Sequence, residues 1–156
     1  MKQKFVKSLD IANYFFLLVQ KKGGSITNKK LQKVLYYSQA WSLALRGVPL
    51  FEDPIEAWIH GPVVPKVYHH YKKSGFGPIS IKPVTSSLSL EIQEFLDEVW
   101  RVYGKYDAEY LEILSHSEAP WILARGNIEA DKACDNVISH ESMRSFYSAL
   151  DNGKKQ

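Results

Sequence analysis

Ile11, Phe15, Leu18 and Val19 fall at i, i+4, i+7 and i+8, the spacing of one helical face. Ser8 is placed to cap that stretch and Gly23-Gly24 to end it, so the pattern predicts a helix over residues 9–22. Thr27 is placed to cap a second, longer helix from Asn28 to Arg46, with Leu31, Val34, Leu35, Ser38 and Trp41 facing inward and Gly47 at its close. Pro65 suits a helical first turn, and Val64, Val67, Tyr68 and Tyr71 then form an inward stripe that turns Lys66, His69, His70, Lys72 and Lys73 outward. Ser89 caps a helix in which Ile92, Phe95, Leu96, Val99 and Tyr103 keep one face as far as Gly104. Asp107 caps another through Leu111 and Leu114 to His116, Pro120 opens a short one over Trp121 to Arg125, and Ser139 caps the last, with Met143, Phe146, Tyr147 and Leu150.

Two short stretches alternate with period two instead. In Pro54–His60, Ile55, Ala57 and Ile59 oppose Glu56, Trp58 and His60, and Ile79-Ser80-Ile81 alternates before Pro83. Pairing them gives a small ribbon. The predicted fold class is therefore mainly α: a single compact helical domain of about six to seven helices with at most a small two-stranded β-ribbon. It covers residues 1–151, followed by a disordered tail over 152–156.

Composition changes this picture little. A chain of 156 residues with 45% hydrophobic and 24% charged residues is an ordinary globular domain, and only the aromatic share of 13%, with four Trp and nine Tyr, stands out. The net charge of +3 is too small to imply a nucleic-acid partner without a concentrated basic face. The single Cys134 points to a reducing compartment, so the expected location is the cytoplasm. The basic start with Lys2, Lys4 and Lys7 before Tyr14–Val19 imitates a secretory signal, but Asp10 and Asn13 interrupt the apolar region. No apolar run reaches the ~18 residues of a membrane span, so no membrane association is expected.

Candidate chemistry is sparse. His69 and His70 point to different sides of a helix, and His60, His116 and His140 lie in separate segments, so no metal and no cofactor is expected. Ser115-His116 is adjacent in sequence but not thereby a nucleophile and its base, and no GxSxG, P-loop or GxGxxG pattern occurs, so no enzyme activity is expected. Lys29, Lys30 and Lys33 beside Tyr36 and Tyr37 admit two readings: a phosphate-binding face with stacking aromatics, or a solvated basic face over buried tyrosines. The segments Glu56–Pro65 and Ser115–Trp121 each set a Trp and a His near a Pro-constrained turn. Trp58 and Trp121 are expected to be mostly buried.

These two segments, with Lys30-Leu31-Gln32-Lys33-Val34-Leu35-Tyr36-Tyr37-Ser38-Gln39-Ala40-Trp41 and Pro49-Leu50-Phe51, resemble the Panacea domain of SocA-like antitoxins and of the phage- and mobile-element-associated protein GepA. One departure is Ser115, where the family often has Thr. The resemblance implies a helical fold without enzymatic activity, and the antitoxin of a two-gene toxin–antitoxin pair, with a cognate toxin protein as partner. In one relative it implies instead an adaptor that brings the toxin to the ClpXP protease. It marks Lys33, Tyr36, Trp58, His60, Gly61, Pro62, Tyr68, His116, Pro120 and Trp121 as structural or partner-binding motif residues. Two alternatives stay open: a prophage-encoded or mobile-element regulator that binds nucleic acid through Lys29, Lys30 and Lys33, and a hydrolase using His60 or His116. Homo-oligomeric state is not legible.

Overall fold

The computed structural model describes residues 5–80 and 85–154. Seven α-helices follow in the predicted order: α1 (Ser8–Lys21), α2 (Asn28–Leu45), α3 (Pro65–Tyr71), α4 (Leu90–Tyr103), α5 (Ala108–His116), α6 (Ala119–Arg125) and α7 (His140–Lys154). Four expected caps form. Thr27 accepts from Lys30 N, Ser89 from Ile92 N, Asp107 from Tyr110 N and Ser139 from Ser142 N, each replacing a helical acceptor that the first turn lacks. Ser8 does not cap. It lies inside α1, buried, and its hydroxyl donates to Asp53.

α2 is the axis of the molecule. It packs against α1, α3, α4, α5 and α7, so nearly its whole circumference is buried, including Leu31, Val34, Leu35, Tyr36, Tyr37 and Ala40 at 0% exposure. α7 continues to Lys154 through Asn152 and Gly153, where a tail was expected; residues 155–156 lie outside the described residues. Among the described residues no helix is long and apolar enough to cross a membrane.

The ribbon has a different partner from the predicted one. β1 (Glu56–Trp58) pairs antiparallel with β2 (Gly61–Val63), in the register Glu56↔Val63, Ala57↔Pro62, Trp58↔Gly61. A two-residue turn, Ile59-His60, closes it with Gly61 at φ 108°, a conformation that disfavours a side chain. Local closure over two residues costs far less chain entropy than pairing with a segment some twenty residues on. Ile79 N instead donates to Ile26 O at 2.9 Å, and Ile81 lies outside the described residues. The outer edge of β1 is covered by the chain before α7, where Ala57 N donates to Asn136 O and Ile138 N to Ile55 O, both at 2.8 Å.

Candidate functional site

The hairpin is held from two sides by buried polar side chains. From α2, Gln32 Oε1 accepts from Val64 N at 2.9 Å, its Nε2 donates to Asn28 Oδ1 at 2.8 Å, and Asn28 Nδ2 donates to Tyr68 O at 3.1 Å. Two turns later Gln39 Oε1 accepts from Leu50 N at 2.7 Å, and its Nε2 donates to Phe51 O at 2.9 Å, which pins the Pro49-Leu50-Phe51 loop. These amides stand in for the water that buried loop backbone would otherwise require. From α6, Trp121 Nε1 donates to Trp58 O at 2.8 Å and Arg125 Nη1 to Ala57 O at 2.9 Å. Arg125 lies over the Trp121 ring at 4.6 Å, and His116 stacks on that ring at 4.0 Å.

Lys33 runs beneath the hairpin. It is 1% exposed, and a Cβ built on Gly61 would meet its Cε at 2.4 Å, so the glycine is required by this close approach as well as by its φ. Its Nζ donates to Pro62 O at 3.3 Å. Burial, with Lys29 nearby, pushes its pKa down to about 7 against an opposing pull from Glu112. Glu112 binds Lys29 Nζ at 2.9 Å and His60 Nδ1 at 3.0 Å, which ties the hairpin turn to α5.

A second buried cluster lies between α2, α7 and the start of α6. Glu118 Oε1 accepts from Tyr37 at 2.6 Å and from Tyr147 at 3.0 Å, and the Tyr36 and Tyr147 hydroxyls bond at 2.9 Å. Burial raises the Glu118 pKa, and the two tyrosine donors oppose that rise. Tyr37 stacks on Tyr103 at 4.0 Å, whose hydroxyl accepts from Trp41 Nε1 at 2.7 Å.

Beside the hairpin opens a groove of about 670 Å³, with Ile26, Trp58, Val63, Tyr68 and Phe76 as its apolar surface and Lys33 in its wall. Trp58 meets Tyr68 edge to face at 4.9 Å, and Phe76 is 100% exposed.

The motif residues thus converge. Trp58, His60, Gly61 and Pro62 form the hairpin, Lys33 lies under it, Tyr68 lines the groove, and Pro120 sets the first turn of α6 that presents Trp121. Tyr36 is the exception, since its hydroxyl belongs to the Glu118 cluster. Trp121 is buried as expected, at 4% exposure, and Trp58 is mostly buried but keeps part of its surface open where it lines the groove.

The phosphate-binding face with stacking aromatics does not form, and the other reading holds for its buried tyrosines but not for Lys33. Lys33 is buried, Lys29 is paired with Glu109 and Glu112, and Lys30 donates to Gly104 O at 2.6 Å with its ammonium over Trp100. Tyr36 and Tyr37 are 0% exposed and cannot stack on bases. Ser115 is buried and donates to Glu112 O at 3.0 Å, and burial lowers the His116 pKa. Sequence reasoning missed Glu118, Tyr147, Glu112 and Arg125 as organising groups. Only Glu118 left a signal, being an acidic residue just ahead of a Pro-Trp pair.

The family model of the antitoxin SocA-like, Panacea domain matches residues 31–122, from the first turn of α2 into α6, and takes in the hairpin with its Gln32 and Trp121 clamps. The chain belongs to this family. A curated relative, antitoxin SocA of Caulobacter vibrioides (strain NA1000 / CB15N), is 34% identical over 133 residues, covering 72% of this chain and 70% of the relative. No solved structure matches it significantly. Within the Panacea domain the matched stretch builds the hairpin and most of the groove, whereas Asn28, Arg125, α1 and α7 lie outside it.

Proposed function

We propose that this chain is the antitoxin of a two-gene toxin–antitoxin pair, that it neutralises a toxin protein by direct binding, and that it does so without catalysis. The observation that supports this most is the placement of the family's motif residues. They build one clamped hairpin whose partly exposed Trp58 shares a groove with Tyr68 and the fully exposed Phe76. Aromatic groups on rigid backbone, rimmed by polar side chains such as His60 and Lys29, are the arrangement that protein interfaces use for central anchors. The proposed setting is the cytoplasm, where Cys134 stays reduced.

The test places the neighbouring gene and this one under unrelated promoters. Expression of the neighbour alone is expected to arrest growth, coexpression of this chain to restore it, and the two proteins to copurify. Loss of rescue under unrelated promoters would make transcriptional control the better account. Rescue that needs the ClpXP protease and leaves no stable complex would replace stable binding by delivery to proteolysis.

A further inference from the structure

Acidic residues are unevenly placed along this chain. No Asp or Glu occurs between residues 11 and 51, nor between 57 and 90. α3 packs mainly on α1 and α2, and of these three helices only α1 carries an acid, Asp10, at the end away from Lys21. The corner they form is therefore basic. Lys66, His69, His70 and Lys73 recur at i, i+3, i+4 and i+7 along α3 and the single turn that follows it, all of them exposed. Lys21 and Lys22 are exposed at the end of α1. Among the described residues no carboxylate pairs with any of these four lysines.

Phe76 stands at the edge of that corner, 100% exposed, on a loop fixed at both ends. Gly75 N donates to Lys72 O at 3.0 Å, Gly77 N to Ser74 O at 3.1 Å, and Ile79 N to Ile26 O at 2.9 Å. Gly75 takes φ 57°, which lets the chain turn outward there. The ring is not isolated. It shares the groove with Trp58 and Tyr68, and both of those meet His69, at 6.1 and 5.5 Å, so the apolar surface runs into the basic one. The α5 side of the groove differs in sign: Asp107 and Glu109 line it with Lys29 and Lys30, Asp107 accepting from Tyr110 N at 2.8 Å and Glu109 facing Lys29 at 3.6 Å.

From this placement we infer that the α3 face and the groove form one docking surface for an acidic segment of the partner protein. Its apolar side chains lie against Trp58, Tyr68 and Phe76, and its carboxylates meet Lys66 and Lys73. The inference rests on the protein-binding reading above and adds the chemistry of the partner's face. A protein fits better than a nucleic acid. A phosphate backbone carries charge at every nucleotide and sets some of it against Asp107 and Glu109, whereas a protein segment can present apolar groups in the groove and acids only over α3. The lysines then steer association and make it sensitive to salt, while Phe76 acts as an anchor.

The experiment coexpresses the neighbouring gene with the natural chain, with Lys66→Glu/Lys73→Glu, with Phe76→Ala, and with Lys132→Glu as an exposed control on the loop before α7. Growth is measured, and so is the dissociation constant of the purified pair at about 50 and about 300 mM salt. The expected result is lost rescue and about tenfold or greater weakening in the first two variants, no change in the control, and about tenfold weaker binding of the natural pair at the higher salt. The substituted side chains are exposed, and the salt series uses the natural protein alone, so the outcome does not hang on a variant's folding. Growth decides where the pair is degraded before it accumulates. Full rescue or unchanged affinity in either of the first two variants would overturn the inference. So would binding indifferent to salt, or equal weakening by Lys132→Glu, which would be an effect of net charge. Tighter binding of single-stranded polyuridine or of phosphatidylglycerol vesicles than of the neighbour's product, lost in the same variants, would overturn it by assigning the face to a nucleic acid or a membrane. If the natural chain itself fails to rescue, the antitoxin reading falls and takes this inference with it, so the two failures are told apart.

Discussion

Single residues in this domain owe their effect to what they bury. Glu118 Oε1 receives two tyrosine hydroxyls, and Gln would offer the same acceptor without a charge. Glu118→Ala is expected to cost about 2–4 kcal/mol by stranding both hydroxyls, whereas Glu118→Gln should be neutral or slightly stabilising in urea denaturation at pH 8. The sign follows from the raised pKa: the cost of the buried carboxylate is full above its folded pKa and fades as pH falls toward the ordinary value of 4.5. The Gln advantage should therefore shrink on acidification. Lys33 has the opposite dependence. Its folded pKa of about 7 lies below the ordinary 10.5, so burying its charge costs most below pH 7, and that cost fades as pH rises to 10.5. Lys33→Met is expected to be more stable than the natural protein at pH 6 and to lose that lead by pH 10, measured by the same denaturation. Gly61→Ala must place a methyl at φ 108° and 2.4 Å from Lys33 Cε, and is expected to cost about 2–4 kcal/mol.

At the scale of elements, the hairpin is too short to stand alone, since three-residue strands with one turn bury little. α6 supplies what it lacks, through Trp121 and Arg125 on the carbonyls of Trp58 and Ala57. Trp121→Ala is expected to cost ~3–5 kcal/mol, as large buried truncations do. Trp58→Ala should cost less, about 1–3 kcal/mol, because part of its surface already meets solvent. Chemical denaturation separates the two, and equal losses would mean that the hairpin, and not α6, organises this corner. Element types were readable where periodicity and caps agreed, as in α4 between Ser89 and Gly104. The partner of β1 was not, because Ile79-Ser80-Ile81 alternates as well as any strand and Gly61-Pro62-Val63 does not. What decided it was the tight turn at Gly61 and the outer edge offered by Asn136 and Ile138.

For the whole molecule, α2 joins the layers: its polar side chains pin the hairpin exit and the loop before it, and its tyrosines meet α7 through Glu118. With α2 packed against α1, α3, α4, α5 and α7, unfolding is expected to be a single transition, with near- and far-ultraviolet circular dichroism changing together. A separate early loss of the near-ultraviolet signal would show that the hairpin and groove open independently. The family was legible from three motif segments, and so were the helices, since caps and hydrophobic spacing act over a few residues and are written in the local sequence. The sequence by itself thus determined the helical class, the capped helix starts at Thr27, Ser89, Asp107 and Ser139, and the residues that mark the family. Only the tertiary structure decided that Lys33 is buried and not part of a basic face, that Glu118 gathers the tyrosines, and that Trp58 borders a groove. The reason is that a polar side chain leaves water only when another segment supplies its hydrogen bonds. Those partners, Pro62 for Lys33 and Tyr37 and Tyr147 for Glu118, lie tens of residues away along the chain.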